Sequence, residues 1–484
     1  MRISLLKRLL TLFLILFGAA SCAQIPIADF EEFAPYRQRF SDSKKMRVPV
    51  ILIPGIKGSI LKKGDKEVWG RSYRVTLFHK FDDLKLDLAP QLQYNFKQYY
   101  YQTDISSGGI MKAYRIGFRK WTIFKIPIYD DIEELLREVG YDENTLFTFS
   151  YDWRLDNRIS AVQLALMVKD VQEKYRTFLE DSLGKSFDAY WKQLENKNLV
   201  TSKGQVRVNI IAHSMGGLVS RYYLKILDGC DQTNKLIMLA TPNLGSMDSL
   251  RALSEGEHPE SVVRFYAKRK TRPVIFSWPS MFQLLPRYKG ALCRVDCTSV
   301  PNEDWGLSGE DIDFNKVITK WAEYNLIPAE EPVAKRFLKF QLKDAYYFYR
   351  AINDQPEINY EENKLKQVID FLDVRKQEIQ FTYSPNCSPN RVIIFGGHCK
   401  PTLKYAFLNN KDNRNDLIFD SSNENDLQCS GRSRGDGRVP VESIVLSTKE
   451  VGGIFHFLMC EDHVGVVKNR TFQYNLLREL LLME

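Results

Sequence analysis

The 484-residue chain has few histidines and none of the cysteine spacing that is typical of a metal site. Only six histidines occur, and no C-x-x-C pair or cluster of cysteine and histidine has the spacing of zinc ligands. A structural metal is therefore not expected, and no cofactor is predicted. Because histidine is so scarce, each one can be weighed separately as a candidate catalytic base.

The chain also lacks a strong excess of charge of either sign. Its formal net charge is +8, which falls to +5 without the three basic residues Arg2, Lys7 and Arg8 near the N-terminus. Lysine and arginine alternate with aspartate and glutamate along most segments. This pattern indicates a mixed, solvated surface, so nucleic acid is not expected as a partner.

The apolar run near the N-terminus is too short to span a bilayer. It covers residues 9–20, follows a basic segment and precedes small residues, which is typical of an export signal. We therefore predict a signal peptide over residues 1–21. The sequence Ala-Ala-Ser-Cys at 19–22 resembles a bacterial lipobox, in which Cys22 becomes the lipidated N-terminus. The alternative is ordinary cleavage nearby. The expected location is that of an outer-membrane-anchored lipoprotein or of a periplasmic or secreted protein.

Cysteine is sparse as well, with seven residues after Cys22. Export implies an oxidising compartment, in which close pairs form disulfides. Spacing favours Cys293 with Cys297 and Cys387 with Cys399, and the odd count leaves at least one thiol unpaired.

Strand and helix patterns alternate over the first half of the chain. The apolar periodicity predicts strands at 48–54, 146–151, 206–211, 236–240 and 391–396, and helices at 129–140, 158–183 and 218–227. Strands that alternate with helices form a mostly parallel sheet with helices on both faces. The predicted fold class is therefore α/β.

The alternation stops after residue 242 and resumes only at the strand predicted at 391–396. We predict a cap insertion at 246–390 and a shorter, lid-like insertion at about 62–128. The core is then expected in two parts, 46–245 and 391–484, of which the second carries the catalytic acid and histidine.

Two aromatic clusters lie in the predicted insertions, at 94–101 and 346–349. Such clusters could form a surface that contacts lipid or an acyl chain. More often they pack in a core or an interface, and both interpretations stay open. A surface that contacts lipid would suit an enzyme that works at a membrane surface.

The most informative segment is Ile-Ile-Ala-His-Ser-Met-Gly-Gly-Leu at 210–218. It breaks a β-branched strand into an amphipathic helix, and a serine on such a tight turn is typical of a hydrolase nucleophile. We predict Ser214 as the nucleophile and the amide of Met215, at the helix N-terminus, as an oxyanion donor. Ala212 and Gly216 give the turn the small residues it needs. The alternative is an ordinary connection between a strand and a helix.

A serine nucleophile needs a base, which in this fold follows the last strand. His463 comes just after a strand predicted at 454–458 and is the preferred candidate. The other histidines precede the serine, adjoin it, or lie in the cap or in a strand: His79, His213, His258, His398 and His456. The alternative for His463 is an unremarkable histidine in a surface loop.

The acid should lie between the strand at 391–396 and His463. Gly-Asp-Gly at 435–437 is a sharp turn that presents Asp436, whereas an Asx-turn at the surface is the alternative. The rival carboxylates occupy plain polar loop or adjoin the base: Asp420, Asp426 and Asp462. The amide of Ile56, in the turn after the first core strand, is the predicted second oxyanion donor, and the alternative is a glycine turn with a purely structural role.

Several short segments together resemble the lecithin:cholesterol acyltransferase family, which includes lysosomal phospholipase A2 and bacterial relatives. They are Pro-Val-Ile-Leu-Ile-Pro-Gly at 49–55, Tyr-Asp-Trp-Arg-Leu at 151–155, Ala-His-Ser-Met-Gly at 212–216, Pro-Ser-Met-Phe-Gln-Leu-Leu-Pro at 279–286, Gly-Asp-Gly at 435–437 and His463. The Tyr-Asp-Trp-Arg-Leu segment is the most specific of them. The chain departs from the animal enzymes at residues 60–100, which contain no cysteine to close a lid loop.

The resemblance implies an α/β-hydrolase fold with Ser214 as nucleophile, Asp436 as acid and His463 as base, and an oxyanion hole at Ile56 and Met215. Together with the predicted export signal, it implies an exported serine lipid hydrolase or acyltransferase that forms an acyl-serine intermediate on phospholipid or related acyl esters. The alternatives are a carboxylesterase for soluble esters and a surface lipoprotein that binds ligands on an inactive hydrolase scaffold.

Overall fold

A computed structural model describes most of the chain after residue 46. The described residues are 47–70, 81–88, 101–118, 121–256, 271–294, 298–307, 312–323, 332–353, 356–372, 379–384, 391–409, 416–419, 431–446 and 454–481. The predicted signal peptide at 1–21, Cys22 and most of the aromatic cluster at 94–101 lie outside them.

The described residues contain the following strands and α-helices. The strands are β1 (Val50–Ile53), β2 (Ser59–Lys63), β3 (Lys66–Trp69), β4 (Asp87–Leu88), β5 (Tyr101–Gln102), β6 (Ile105–Ile110), β7 (Ala113–Phe118), β8 (Trp121–Pro127), β9 (Leu146–Thr148), β10 (Val208–His213), β11 (Thr233–Leu239), β12 (Leu292–Arg294), β13 (Arg391–Gly397), β14 (Lys400–Leu403), β15 (Ala406–Asn409), β16 (Asp416–Ile418), β17 (Arg432–Gly435) and β18 (Ile454–Met459). The α-helices are α1 (Asp130–Glu138), α2 (Asn157–Leu183), α3 (Phe187–Asn196), α4 (Met215–Ile226), α5 (Gly229–Gln232), α6 (Met247–Glu255), α7 (Pro279–Gln283), α8 (Phe314–Glu323), α9 (Pro332–Ile352), α10 (Ile358–Leu372), α11 (Val441–Ile444) and α12 (Arg470–Leu481).

Six strands form the central sheet in the order β18-β13-β11-β10-β1-β9, and every neighbouring pair is parallel. The inner strands β1, β10 and β11 are buried along their whole length. Strands buried along their whole length are typical of a parallel sheet, because helices cover both of its faces. The predicted α/β class with a parallel sheet is confirmed.

Successive side chains of β1 point to opposite faces of the sheet, as the two-residue period of a strand dictates. Ile51 and Ile53 belong to the core that includes residues of α2 and α4. Val50 and Leu52 belong to the core that includes residues of α1 and α12. Each fully buried side chain of this kind contributes about 1.5–3 kcal/mol. The two apolar layers therefore fix the sheet between its helices.

Two long segments connect strands that are neighbours in the central sheet. The segment between β1 and β9 contains β2 to β8 and α1, and the segment between β11 and β13 contains α6 to α10 and β12. The boundaries predicted for the lid-like insertion and the cap, 62–128 and 246–390, stay predictions. None of the helices within the described ranges combines the length and apolar character needed to cross a bilayer.

A buried ionic cluster joins helix α2 to helices α9 and α10. The Arg158 guanidinium donates to the Glu361 carboxylate at 2.8 and 3.0 Å and to Asp344 at 3.4 Å. Lys364 lies 3.2 Å from Asp344. Removing one member would leave an uncompensated buried charge, so the packing of α9 and α10 against α2 is sensitive to the loss of any one of these side chains.

A disulfide joins Cys399 to Cys460, with the two Cα atoms 5.0 Å apart. The predicted pairing of Cys387 with Cys399 is therefore wrong. Cys399 and Cys460 follow the neighbouring parallel strands β13 and β18, whose carboxyl ends lie side by side. Closeness along the sequence gave no hint of this proximity. The other predicted pair includes Cys297, which lies outside the described residues.

Candidate active site

Ser214 forms the whole turn between β10 and α4. Its backbone has φ 52° and ψ −126°, a conformation that disfavours any residue except glycine. Holding a serine there costs ~1–3 kcal/mol, which the surrounding fold offsets. The Ser214 amide donates to the carbonyl of Leu239 on the adjacent strand at 2.7 Å. The strained turn is thus fixed by the sheet itself.

Two glycines leave the room that this turn needs. A Cβ atom on Gly216 would lie 2.6 Å from the carbonyl oxygen of Pro54, at the end of β1. A Cβ atom on Gly55 would lie 2.7 Å from the Cβ of Ser214. The turn after β1 therefore lies directly against the serine, and larger residues at 55 or 216 would push the two apart.

The side chains of Ser214, His463 and Asp436 form one hydrogen-bonded chain. The His463 Nε2 atom lies 2.9 Å from the Ser214 Oγ atom. The His463 Nδ1 atom lies 2.7 Å from the Asp436 Oδ2 atom. The serine and the carboxylate are buried, whereas the His463 side chain is 15% exposed. Three residues from separate loops are thus brought together in the order that acyl transfer requires.

Asp436 is fixed on both sides of its carboxylate. While Oδ2 faces His463, the Oδ1 atom accepts the backbone amides of Arg438 at 2.9 Å and Val439 at 2.7 Å. The Asp436 carbonyl also accepts the amide of His463 at 2.8 Å. The acid follows β17, a strand of a small antiparallel pair with β14. Its orientation is therefore set by the backbone around it.

Of the rival carboxylates, only Asp462 lies within the described residues, and its hydrogen bonds go to backbone amides. Asp462 Oδ1 accepts the amides of Val464 at 3.0 Å and Gly465 at 2.7 Å, so it caps the following 3₁₀ turn. Asp420 and Asp426 lie outside the described residues. The imidazole of His456 is engaged elsewhere, since its Nε2 atom accepts the backbone amide of Leu446.

The predicted oxyanion donors flank the serine. Met215 is the first residue of α4, where backbone amides point out of the helix and the helix dipole favours negative charge. Ile56 follows Gly55 in the turn that contacts the serine. This turn is anchored, because the Tyr151 hydroxyl donates to the Pro54 carbonyl at 2.9 Å. The geometry agrees with both assignments, which stay predictions.

The Tyr-Asp-Trp-Arg-Leu segment holds the loops beside this turn. Arg154 donates twice to the Asp152 carboxylate, at 2.6 and 2.9 Å, and both side chains are buried. The Trp153 indole donates to the Ser59 carbonyl at 3.1 Å and packs edge-on against Trp69. The segment therefore ties the end of β9 to the loop that follows β1.

His213 has a place in the site that sequence reasoning missed. Its Nδ1 atom lies 2.8 Å from the Tyr129 hydroxyl, and its Nε2 atom lies 3.0 Å from the backbone carbonyl of His463. Burial, followed by repulsion from His463, lowers the pKa of His213 to about 3, so the ring stays neutral. As the neighbour of the serine, His213 is a poor candidate for the base, and the sequence pattern predicts no other role for it. Its position beside the serine was the available signal.

The disulfide links the loop that leads to Asp436 with the loop that carries His463. Cys399 precedes Lys400, which pairs with Gly435 just before Asp436, and Cys460 stands three residues before His463. Replacing both cysteines with serine should lower stability by about 3–4 kcal/mol, given the 61-residue separation. It should also lower kcat by about tenfold, because the acid and base loops lose their link. Thermal melting and ester kinetics measure the two effects.

The control for this change is Cys230→Ser. Cys230 is also disulfide-bonded. It lies in α5, just before the amino end of β11, whereas Ser214 follows the carboxyl end of the neighbouring strand β10. This variant should lose stability while kcat stays within about twofold of the wild type. Equal losses of kcat in both variants would show that the disulfide at Cys399 has no particular link to the site.

Among the residues that the structure describes, no group of three or more histidine, cysteine, aspartate or glutamate side chains is arranged to hold a metal ion.

Comparisons of this sequence with known proteins agree on one family. The family model described as lecithin:cholesterol acyltransferase matches residues 116–450. A phospholipid:diacylglycerol acyltransferase of Schizosaccharomyces pombe is 22% identical over 444 residues, covering 83% of this chain and 64% of that protein. The lecithin-cholesterol acyltransferase-like 4 protein of Arabidopsis thaliana is 26% identical over 194 residues, covering 36% of this chain and 30% of that protein. The chain thus spans less than two thirds of the length of either relative.

Two solved structures also match. The Tle4–Tli4 complex gives a TM-score of 0.47 at 16% identity, covering 90% of this chain and 98% of that chain. The mature lipase BlEst2 of Bacillus licheniformis gives a TM-score of 0.30 at 10% identity, covering 90% of this chain and 92% of that chain.

Proposed function

Because the chain belongs to the lecithin:cholesterol acyltransferase family, we propose that it is a serine-dependent lipid hydrolase or acyltransferase. Its substrate is a phospholipid or a related acyl ester, and the reaction passes through an acyl-serine. The observation that carries the proposal is the hydrogen-bonded chain from Ser214 through His463 to Asp436. These side chains meet where the parallel strands end, next to two backbone amides.

In the first half of the reaction, Ser214 Oγ attacks the ester carbonyl while His463 Nε2 takes the hydroxyl proton. The carbonyl oxygen becomes an oxyanion that accepts hydrogen bonds from the amides of Met215 and Ile56. Asp436 stabilises the imidazolium that forms on His463. When the tetrahedral intermediate collapses, the bond to the alcohol or lysolipid breaks, and His463 returns the proton to that leaving oxygen.

In the second half, His463 takes a proton from water or from an acceptor alcohol, whose oxygen attacks the acyl-serine carbonyl. The same two amides hold the second oxyanion. Collapse then breaks the bond to Ser214 Oγ, which recovers its proton from His463. Water gives a free fatty acid, whereas an alcohol gives a new ester. The acceptor that reaches the acyl-enzyme decides between hydrolysis and transfer.

Product analysis on phospholipid vesicles tests the proposal, with and without an added long-chain alcohol. We expect lysophospholipid together with either free fatty acid or the new ester, and none of these with Ser214→Ala. Turnover of soluble esters with no release of acyl chains from vesicles would contradict the lipid substrate and favour a carboxylesterase. No turnover of any ester, with no Ser214-dependent labelling by a fluorophosphonate, would favour a binding protein on a hydrolase scaffold.

We further propose that the chain is exported and anchored through Cys22. The support is the basic and apolar leader over residues 1–21 and the Ala-Ala-Ser-Cys sequence at its end. A lipid anchor would hold the enzyme at a membrane surface, where a phospholipid substrate is concentrated. Metabolic labelling with a radioactive fatty acid should mark the wild type and leave Cys22→Ala unmarked. Equal labelling of both, or of neither, would contradict the anchor.

A further inference from the structure

A continuous path of buried hydrogen bonds connects the loops that carry the proposed catalytic residues. It begins at the amide of Gly55, which donates to the Tyr129 hydroxyl at 2.9 Å. The Tyr129 hydroxyl lies 2.8 Å from His213 Nδ1, and His213 Nε2 lies 3.0 Å from the His463 carbonyl. The path therefore crosses from the turn after β1 to the loop after β18.

The two ends of this path determine the direction of every bond within it. A backbone amide can only donate, so the Tyr129 oxygen accepts from Gly55. A carbonyl can only accept, so His213 Nε2 carries a hydrogen and donates to His463. A neutral imidazole then has a free lone pair on Nδ1, which accepts the hydroxyl hydrogen of Tyr129. Each group has a matching partner only in this one tautomer of His213.

The path connects the three loops on which the proposed reaction depends. Gly55 precedes Ile56, the second proposed oxyanion donor. His213 precedes Ser214, and the carbonyl at the other end belongs to His463. The side chains of Tyr129 and His213 are 2% and 5% exposed, so water does not compete for these bonds. The rings of His213 and His463 also pack with their centroids 5.0 Å apart.

We propose that Tyr129 and His213 act as positioning residues that fix the oxyanion turn and the catalytic base relative to the serine. This inference rests on the proposed function, because it assigns His463 and Ile56 their roles there. Neither side chain touches the reacting atoms. Both act through the backbone of their neighbours, which sets where the base and the amide donor stand.

A positioning role predicts a loss of turnover rather than of substrate binding. A shift of about 1 Å in a catalytic group costs on the order of 10²-fold in rate. We therefore expect His213→Leu, which has neither donor nor acceptor, to lower kcat by about 10- to 100-fold with KM within about twofold. His213→Gln keeps an N–H that can reach the His463 carbonyl. Its kcat should be at least about fivefold higher than that of His213→Leu.

Tyr129→Phe removes a single oxygen and leaves the ring in place, so it is the variant least able to disturb folding. We expect it to lower kcat by about three- to tenfold. In the His213→Leu background the same change should add less than about twofold, since the path is already broken there. Tyr288→Phe is the matched control. Its buried hydroxyl donates to the Lys404 carbonyl at 2.9 Å, apart from the path, and its kcat should match the wild type.

The experiment measures kcat, KM and melting temperature on one soluble ester for the wild type, Ser214→Ala and these variants. Independent, multiplicative effects of Tyr129→Phe and His213→Leu would overturn the inference, as would an unchanged kcat in His213→Leu or changes confined to KM. In those cases the wild type would still show Ser214-dependent turnover, so the proposed function would survive. A wild type no more active than Ser214→Ala would overturn the proposed function and the positioning role together.

Discussion

Ser214→Ala is expected to lower the turnover of acyl esters by at least about 10⁴-fold. Without the Oγ atom no acyl-enzyme forms, and His463 has no hydroxyl from which to take a proton. The residual rate should come only from substrate binding and the oxyanion donors. Initial rates on a chromogenic ester and on phospholipid vesicles measure the loss, with enough protein to detect a rate 10⁴-fold below that of the wild type.

The alanine variant is well matched to the wild type. Alanine keeps the Cβ atom that lies against Gly55, and it keeps the strained backbone with φ 52°. Removing one hydroxyl should therefore change the melting temperature very little. A loss of activity in this variant could then not be attributed to misfolding. Activity within tenfold of the wild type in a folded Ser214→Ala protein would exclude this serine as the nucleophile.

Asp436→Asn should lower kcat by about 10⁴-fold, for a reason that the local hydrogen bonds make specific. The Oδ1 atom is held by the amides of Arg438 and Val439, so the oxygen of an asparagine would stay there. Its NH₂ group would then face His463 Nδ1 and donate to it. The imidazole hydrogen would be forced onto Nε2, the atom that must accept the proton of Ser214. Steady-state kinetics on the same ester measure the loss.

Asp462→Asn provides the comparison, because Asp462 adjoins the base but caps a backbone turn. The asparagine oxygen can still accept the amides of Val464 and Gly465. We expect kcat within about fivefold of the wild type. If both variants lost activity to the same extent, or if Asp436→Asn stayed active, Asp436 would not be the acid that orients His463.

Much of the fold could be predicted from local patterns. The strands predicted at 48–54, 206–211 and 236–240 lie in the central sheet, because their short, largely apolar and β-branched segments suit a sheet that is buried on both faces. The break at Ser214 was visible for the same reason, since a strand pattern changes there to a helix pattern. The predicted family resemblance is confirmed by the family model that matches residues 116–450.

The rest depends on contacts between residues far apart in the sequence. The Cys399–Cys460 bond forms because β13 and β18 are neighbours, and no spacing rule indicates that order of strands. The path from Gly55 to His463 likewise needs Tyr129, 84 residues before its partner His213. A tyrosine at the start of a helix has no signature of its own. Only the tertiary fold shows which loop it supports.

The measurement that tests the central claim most directly is covalent labelling by a fluorophosphonate, followed by mass mapping of the labelled peptide. We predict one label per chain, on Ser214, with ester turnover falling in proportion to labelling and no label on Ser214→Ala. The His463→Ala variant should label far more slowly, because the serine is then not activated. An active wild-type protein that takes no label, or that loses its activity through a label on another residue, would contradict the account.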